Sequence, residues 1–114
     1  MIISEHMSSP VISVSPKMTL QSASMTMSNK GIHCVLVKES EKFLGIFTHS
    51  NLEPGVDPET TTVGAMMSSP IITIDGDCDV DEARKLMQEH LVRHLAVTQN
   101  GEIVGVFSSN DLVH

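Results

Sequence analysis

Two short runs of β-branched residues, each just after a proline, open the hydrophobic pattern: Val11-Ile-Ser-Val14 and Ile71-Ile-Thr-Ile74. Each predicts a strand. Turn residues follow, Ser15-Pro-Lys17 and Asp75-Gly-Asp77, and then the period changes. Leu20, Ala23 and Met27 recur at helical spacing, as do Val80, Ala83, Leu86 and Met87, so helices are expected to start at Thr19 and Asp79. Glu82, three residues after Asp79, predicts a capping box, and Gly31 a stop for the first helix. Apolar residues next gather in strand-length runs, Cys34–Val37 and Phe43–Phe47, then Leu95–Val97 and Ile103–Phe107, with Gln99-Asn100-Gly101 as a hairpin turn. A last short helix is expected near Thr48 and again near Ser108. The order is strand, helix, strand, strand, helix, twice over. The stretch Glu53 to Thr61, holding Pro54, Gly55 and Pro58, reads as the link between the two.

The two halves are copies. Met7-Ser-Ser-Pro10 returns as Met67-Ser-Ser-Pro70, and a shift of 60 carries the match without a gap to Leu52 and Leu112. Of these 46 positions 11 are identical, among them Gly45/Gly105 and Phe47/Phe107. Unrelated segments of ordinary composition would share about three, so the chain arose by duplication. Residues 1–53 are assigned to the first repeat, 54–61 to the linker and 62–114 to the second. Neither half has enough apolar surface for a core of its own. The expected fold is α/β, more specifically α+β: two β-α-β-β-α repeats packed face to face with pseudo-twofold symmetry.

The repeated motifs carry a family resemblance. An opening Met-x-x-Pro-hydrophobic, the β-α-β-β-α order, and the endings Gly45-Ile-Phe-Thr-His-Ser-Asn51 and Gly105-Val-Phe-Ser-Ser-Asn-Asp111 resemble the cystathionine-β-synthase (CBS) domain, with Thr62-Val-Gly-Ala-Met-Met67 as the usual lead-in to a second copy. The resemblance implies a regulatory tandem pair that senses an adenosine-type ligand (AMP, ADP, ATP or S-adenosylmethionine) in two clefts between the repeats. It needs no cofactor and catalyses nothing. By position, the second copy offers Ser108, Asn110 and Asp111, and the first Thr48, Ser50 and Asn51. A hydroxyl and free N–H groups where strand turns to helix suit a phosphate, and a carboxylate three residues on suits the vicinal hydroxyls of a ribose. Asn51 lacks that charge, so the site ending in Asp111 is the expected binder. Arg93 and His94, matched by His33 and Cys34, fall where the family often places groups close to ligand phosphates. The adenine ring is expected near Ile12 and Ser13 or Ile72 and Thr73, between aliphatic side chains such as Val35, Leu95, Ile46 or Val106. The family's habit of stacking through helical faces implies a homodimer, with Met25 and Met27 set against Leu86 and Met87. The alternative function is a structural or oligomerising module with an empty cleft, paired with an unidentified enzyme or transporter.

Composition narrows the remaining choices. The net charge is −7, from 14 acids and 7 bases, which opposes binding to nucleic acid or an anionic membrane. Residues 58–114 hold nine of the acids and only three bases, so any anion site must be built locally. No apolar run approaches the roughly 20 residues that cross a bilayer, and Met1–Met7 does not read as a signal peptide, which points to the cytoplasm. Asp75, Asp77, Asp79 and Asp81 alternate, but Val80 and Leu86 stand where a calcium loop needs Gly and Glu, so a solvated turn is the better account. His90 and His94 are four apart, but the repeat puts a helix end between them and supplies no third zinc ligand. Cys34 and Cys78 lack metal-type spacing, and no nucleophile–base arrangement stands out.

Overall fold

The computed structural model describes residues 1–112. The chain forms two compact units, Ile12–Ile71 on the one hand and Met1–Val11 with Ile72–His114 on the other. In space, therefore, each unit joins one copy's sheet and helix to the segment that precedes the other copy in sequence.

The unit Ile12–Ile71 contains β1 (Ser13–Val14), α1 (Leu20–Lys30), β2 (Cys34–Glu39), β3 (Lys42–Thr48) and the short α2 (Val63–Met66). Its sheet has the order β1-β2-β3, with β1 parallel and β3 antiparallel to β2. The Thr19 hydroxyl caps α1 by accepting from the Ser22 N–H at 3.2 Å. Gly31 ends the helix at φ 64°, a left-handed turn open to glycine at little cost. The helix lays Leu20, Ala23 and Met27 on the sheet face made by Val14, Val35, Val37 and Phe47, and Val63 of α2 closes this core.

The second unit repeats the plan with β4 (Thr73–Asp75), α3 (Val80–His90), β5 (His94–Gln99) and β6 (Glu102–Ser108), in the sheet order β4-β5-β6. Ile74, Ala83, Met87, Leu95, Val97 and Phe107 make its core, and Ile3 from the chain's start completes it. Ile3 and Val63 are again 60 apart, so the duplication reaches further upstream than its identical residues. Backbone bonds fix both visiting segments alike. Val63 N–H bonds Met18 O at 2.8 Å and Leu20 N–H bonds Thr61 O at 2.9 Å; Ile3 N–H bonds Cys78 O at 2.9 Å and Val80 N–H bonds Met1 O at 3.0 Å. The first N–H of each long helix, which has no partner inside the helix, is thereby satisfied.

The repeated Met-Ser pairs lie against the outer strands. Ser68 exchanges both backbone bonds with Ile46, at 2.9 and 3.0 Å, and Ser8 does the same with Val106. Each bridge covers an edge that would otherwise expose unpaired amides. The Met pair crosses so close that Gly45 and Gly105 have no room for a side chain.

Several expectations change. Asp79 caps α3 through the Asp81 N–H at 3.0 Å, so the capping box with Glu82 does not form. The expected last helices are single 3-10 turns, His49–Asn51 and Ser109–Leu112. Met27 and Met87 are buried in the cores and are not available for pairing, whereas Met25 is 59% exposed.

Candidate functional site

Each copy ends in a strand-to-turn junction rich in hydroxyl, amide and carboxylate groups. In the first copy Thr48 is buried, and its backbone N–H donates to Asn51 Oδ1 at 2.9 Å. The Thr48 hydroxyl lies 2.6 Å from the Ser50 hydroxyl and accepts from the Ser50 N–H at 3.2 Å. Asn51 Nδ2 donates to the Ser68 hydroxyl at 3.0 Å. The Thr48 N–H and hydroxyl, the Ser50 N–H and both ends of the Asn51 amide are thus engaged within the fold.

The second junction is built alike but left more open. Ser108 N–H donates to Asp111 Oδ2 at 2.9 Å, and the Ser108 hydroxyl lies 3.4 Å from the same oxygen. Among the described residues nothing bonds to Asp111 Oδ1. Ser108 and Asp111 are half-buried and Asn110 is exposed. Strand pairing sets His94 directly opposite Ser108, and the Arg93 carbonyl accepts from the Ser109 N–H at 2.9 Å. One turn therefore gathers Ser108, Asp111, His94 and Arg93. The Arg93 side chain is exposed, and among the described residues it has no carboxylate partner.

This geometry narrows two parts of the expected chemistry. Free N–H groups were to hold a phosphate at each helix start. The Ser108 and Ser109 N–H groups are instead taken by Asp111 and by the Arg93 carbonyl, and those of Thr48 and Ser50 by side chains of their own turn. These 3-10 turns therefore keep fewer spare donors than a longer helix start would. The aliphatic sandwich also changes: Val35 and Leu95 lie in the cores beneath α1 and α3 and cannot flank a ring. Ile46 and Val106 project from the opposite sheet face. Ser13, Thr73 and His33 are exposed, and the carbonyls of Ile12 and Ile72 accept from Leu36 and Ala96 at 2.9 Å. Ser68, in the repeated Met-Ser-Ser-Pro, was given no role in the sequence reading, although the repetition of its motif marked it.

Burial pushes the His94 imidazole below its ordinary value; Asp111 pulls the other way and Arg93 adds to the depression. The unfolded chain, with an imidazole near about 6.5, takes up a proton that the fold resists. Stability from this group is complete above about pH 6.5 and is lost as pH falls toward the lowered folded value. Replacing His94 with cysteine, the first copy's residue at this place, should reduce the drop in melting temperature between about pH 7.5 and 5.5; an unchanged drop would remove His94 from the account. Burial likewise raises the Cys34 thiol, which keeps it protonated and poorly nucleophilic. Cys34 and Cys78 are both free. Among the described residues no three His, Cys, Asp or Glu side chains converge as metal ligands, and no helix is long and apolar enough to cross a membrane.

A duplicated sheet-and-helix unit, each copy closing on a polar turn, is the architecture of a regulatory ligand-binding module. The CBS domain model matches residues 3–52 and 63–114, and the chain belongs to the CBS domain family. An uncharacterized protein of Methanopyrus kandleri is 32% identical over 110 residues, which cover 90% of this chain and 56% of that protein. The chain thus spans little more than half of that relative. A solved structure of an uncharacterized conserved protein from Pyrococcus horikoshii superposes with a TM-score of 0.83 at 26% identity, covering 98% of this chain and 89% of the other. A CBS domain pair in complex with 5′-methylthioadenosine and S-adenosyl-L-methionine superposes with a TM-score of 0.82 at 19% identity, over 98% of this chain and 92% of that one.

Proposed function

We propose that this chain is a non-catalytic regulatory module that binds an adenosine-type ligand at the turn Ser108–Asp111. The observation that carries the reading is the Asp111 carboxylate: one oxygen holds the turn, and nothing among the described residues bonds to the other. An uncommitted carboxylate oxygen beside a hydroxyl is suited to the paired hydroxyls of a ribose. The ligands of the solved CBS pair, 5′-methylthioadenosine and S-adenosyl-L-methionine, share that ribose and carry no phosphate. With the Ser108 and Ser109 N–H groups already used, Arg93 is the cation placed to meet a phosphate in AMP, ADP or ATP. The free thiols fit a reducing compartment such as the cytoplasm.

Scanning calorimetry with AMP, ATP and S-adenosylmethionine tests the reading, since a ligand bound only by the folded chain raises its melting temperature. Arg93→Ala then separates phosphate from nucleoside. The variant should lose AMP or ATP affinity while keeping adenosine, and the salt dependence of AMP binding should flatten. Equal losses for adenosine and AMP would make Arg93 a packing residue.

A second reading, self-association, has its own observation. Met25 is 59% and Leu52 38% exposed, and both line a hollow of about 410 Å³ with Leu20, Val56 and Pro58. Burying this apolar rim against a second copy would favour a homodimer, or serve a partner protein in the alternative role. Light scattering at high micromolar concentration should then read about twice the 12.4 kDa chain; a reading of one chain mass would exclude the dimer.

A further inference from the structure

We infer that Asn51 is a fastener rather than a ligand group, and that the chain therefore carries one nucleoside site and not two. The count of sites rests on the reading of Ser108–Asp111 as the ligand turn; the fastener does not.

The inference starts from what an amide has that a carboxylate lacks. The Thr48 N–H needs an acceptor, so Asn51 must present Oδ1 to it, and the bond forms at 2.9 Å. That choice fixes the other end of the amide. Nδ2 faces away from the turn and donates to the Ser68 hydroxyl at 3.0 Å. Ser68 is also the residue whose backbone exchanges two hydrogen bonds with Ile46 on β3. Asn51 thus ties the turn at the end of β3 to the segment that covers β3, 17 residues further along the chain. Oδ1 also lies 3.2 Å from the Thr48 hydroxyl, so a ribose hydroxyl that needs an acceptor at Asn51 would have to displace a Thr48 bond, and the second Nδ2 hydrogen, which can only donate, does not replace that acceptor. Thr48 is itself buried, so its hydroxyl is not free to compensate.

The other copy supplies the contrast inside the same molecule. Ser8 bridges Val106 just as Ser68 bridges Ile46. Asp111 holds the Ser108 N–H just as Asn51 holds that of Thr48. The third bond differs: no bond joins Asp111 to Ser8 among the described residues. A carboxylate has no N–H to give, so such a bond would need the Ser8 hydroxyl to donate; none is made, and Asp111 Oδ1 stays uncommitted among the described residues. The Asn/Asp difference at this position of the duplication separates a closed turn from an open one.

Two double-mutant cycles by thermal unfolding test the fastener without any ligand. Asn51→Ala, Ser68→Ala and the pair should be non-additive by roughly 2–5 °C, because either change alone removes the shared bond. Asp111→Ala, Ser8→Ala and their pair should add to within about 1 °C. Additivity in the first cycle, or equal coupling in both, overturns the fastener. Calorimetric titration with AMP and with S-adenosylmethionine tests the count of sites: one molecule per chain is expected, and two would overturn it. If neither compound binds, the ligand reading fails and the count with it, while the cycles still judge the fastener.

Discussion

Replacing Asp111 with alanine is expected to weaken binding of the adenosine ligand ten- to a hundredfold, while replacing Asn51 leaves it near the wild-type value. The size follows from a charged hydrogen bond, worth about 1.5–3 kcal/mol, and each 1.4 kcal/mol is about a factor of ten in affinity. Part of the loss belongs to the turn, because Asp111 also accepts from the Ser108 N–H at 2.9 Å. Asp111→Asn separates the two contributions. Its amide oxygen can still hold the Ser108 N–H, as Asn51 holds the Thr48 N–H, but the charge offered to the ribose is gone. This variant should fall between wild type and alanine in affinity and stay close to wild type in stability. Calorimetric titration decides. If Asp111→Ala binds as wild type and Asn51→Ala abolishes binding, the two turns have been assigned the wrong way round.

Much of the fold was legible in the sequence because the repeat doubles every weak signal. The strand and helix runs, the helix starts after Thr19 and Asp79 and the turns at Gly31 and Asn100-Gly101 can each be read from periodicity and turn chemistry, and the copies agree. What periodicity does not report is which copy a buried residue serves. Ile3 and Val63 stand near the start of their own repeats, yet each fills the core formed by the other repeat's sheet and helix. Pattern gives the depth of a side chain, not its address. The same limit hid the burial of Met27 and Met87, which the resemblance sets at a pairing face.

The candidate turns were legible by residue type and less so by bonding. Ser, Thr, Asn and Asp at a strand end suit a ligand, and they suit a self-capped turn equally well. Three-dimensional geometry divides their bonds between the two roles. It engages the Ser108 and Ser109 N–H groups within the fold and leaves Asp111 Oδ1 uncommitted among the described residues. The role of Ser68 has a comparable cause. A serine in a repeated Met-Ser-Ser-Pro carries no chemistry of its own on the page of a sequence, and gains one only where the chain places its hydroxyl 3.0 Å from an amide.

Gly45→Ala is expected to destabilise the chain by about 1–3 kcal/mol, the scale of overpacking in a closely fitted site. A Cβ built on Gly45 collides with the Ser68 carbonyl oxygen and comes within 3.1 Å of Met67 Sδ. That carbonyl accepts the Ile46 N–H at 3.0 Å, so it cannot move without giving up the bridge that covers β3. Gly105→Ala should cost less. Its Cβ meets the equally bridged Ser8 carbonyl at 2.9 Å, a milder approach than at Gly45, and its closest contact is Met7 Sδ at 2.5 Å, a thioether end that can swing aside. Shortening the obstacle should then help only one of the two: Met7→Ala partly rescues Gly105→Ala, whereas Met67→Ala leaves Gly45→Ala nearly as unstable as before. Urea midpoints at constant slope measure all four comparisons. A Gly45→Ala chain within about 0.5 kcal/mol of wild type, the scatter of ordinary surface changes, would mean that the Met67–Ser68 segment does not hold this close path over β3.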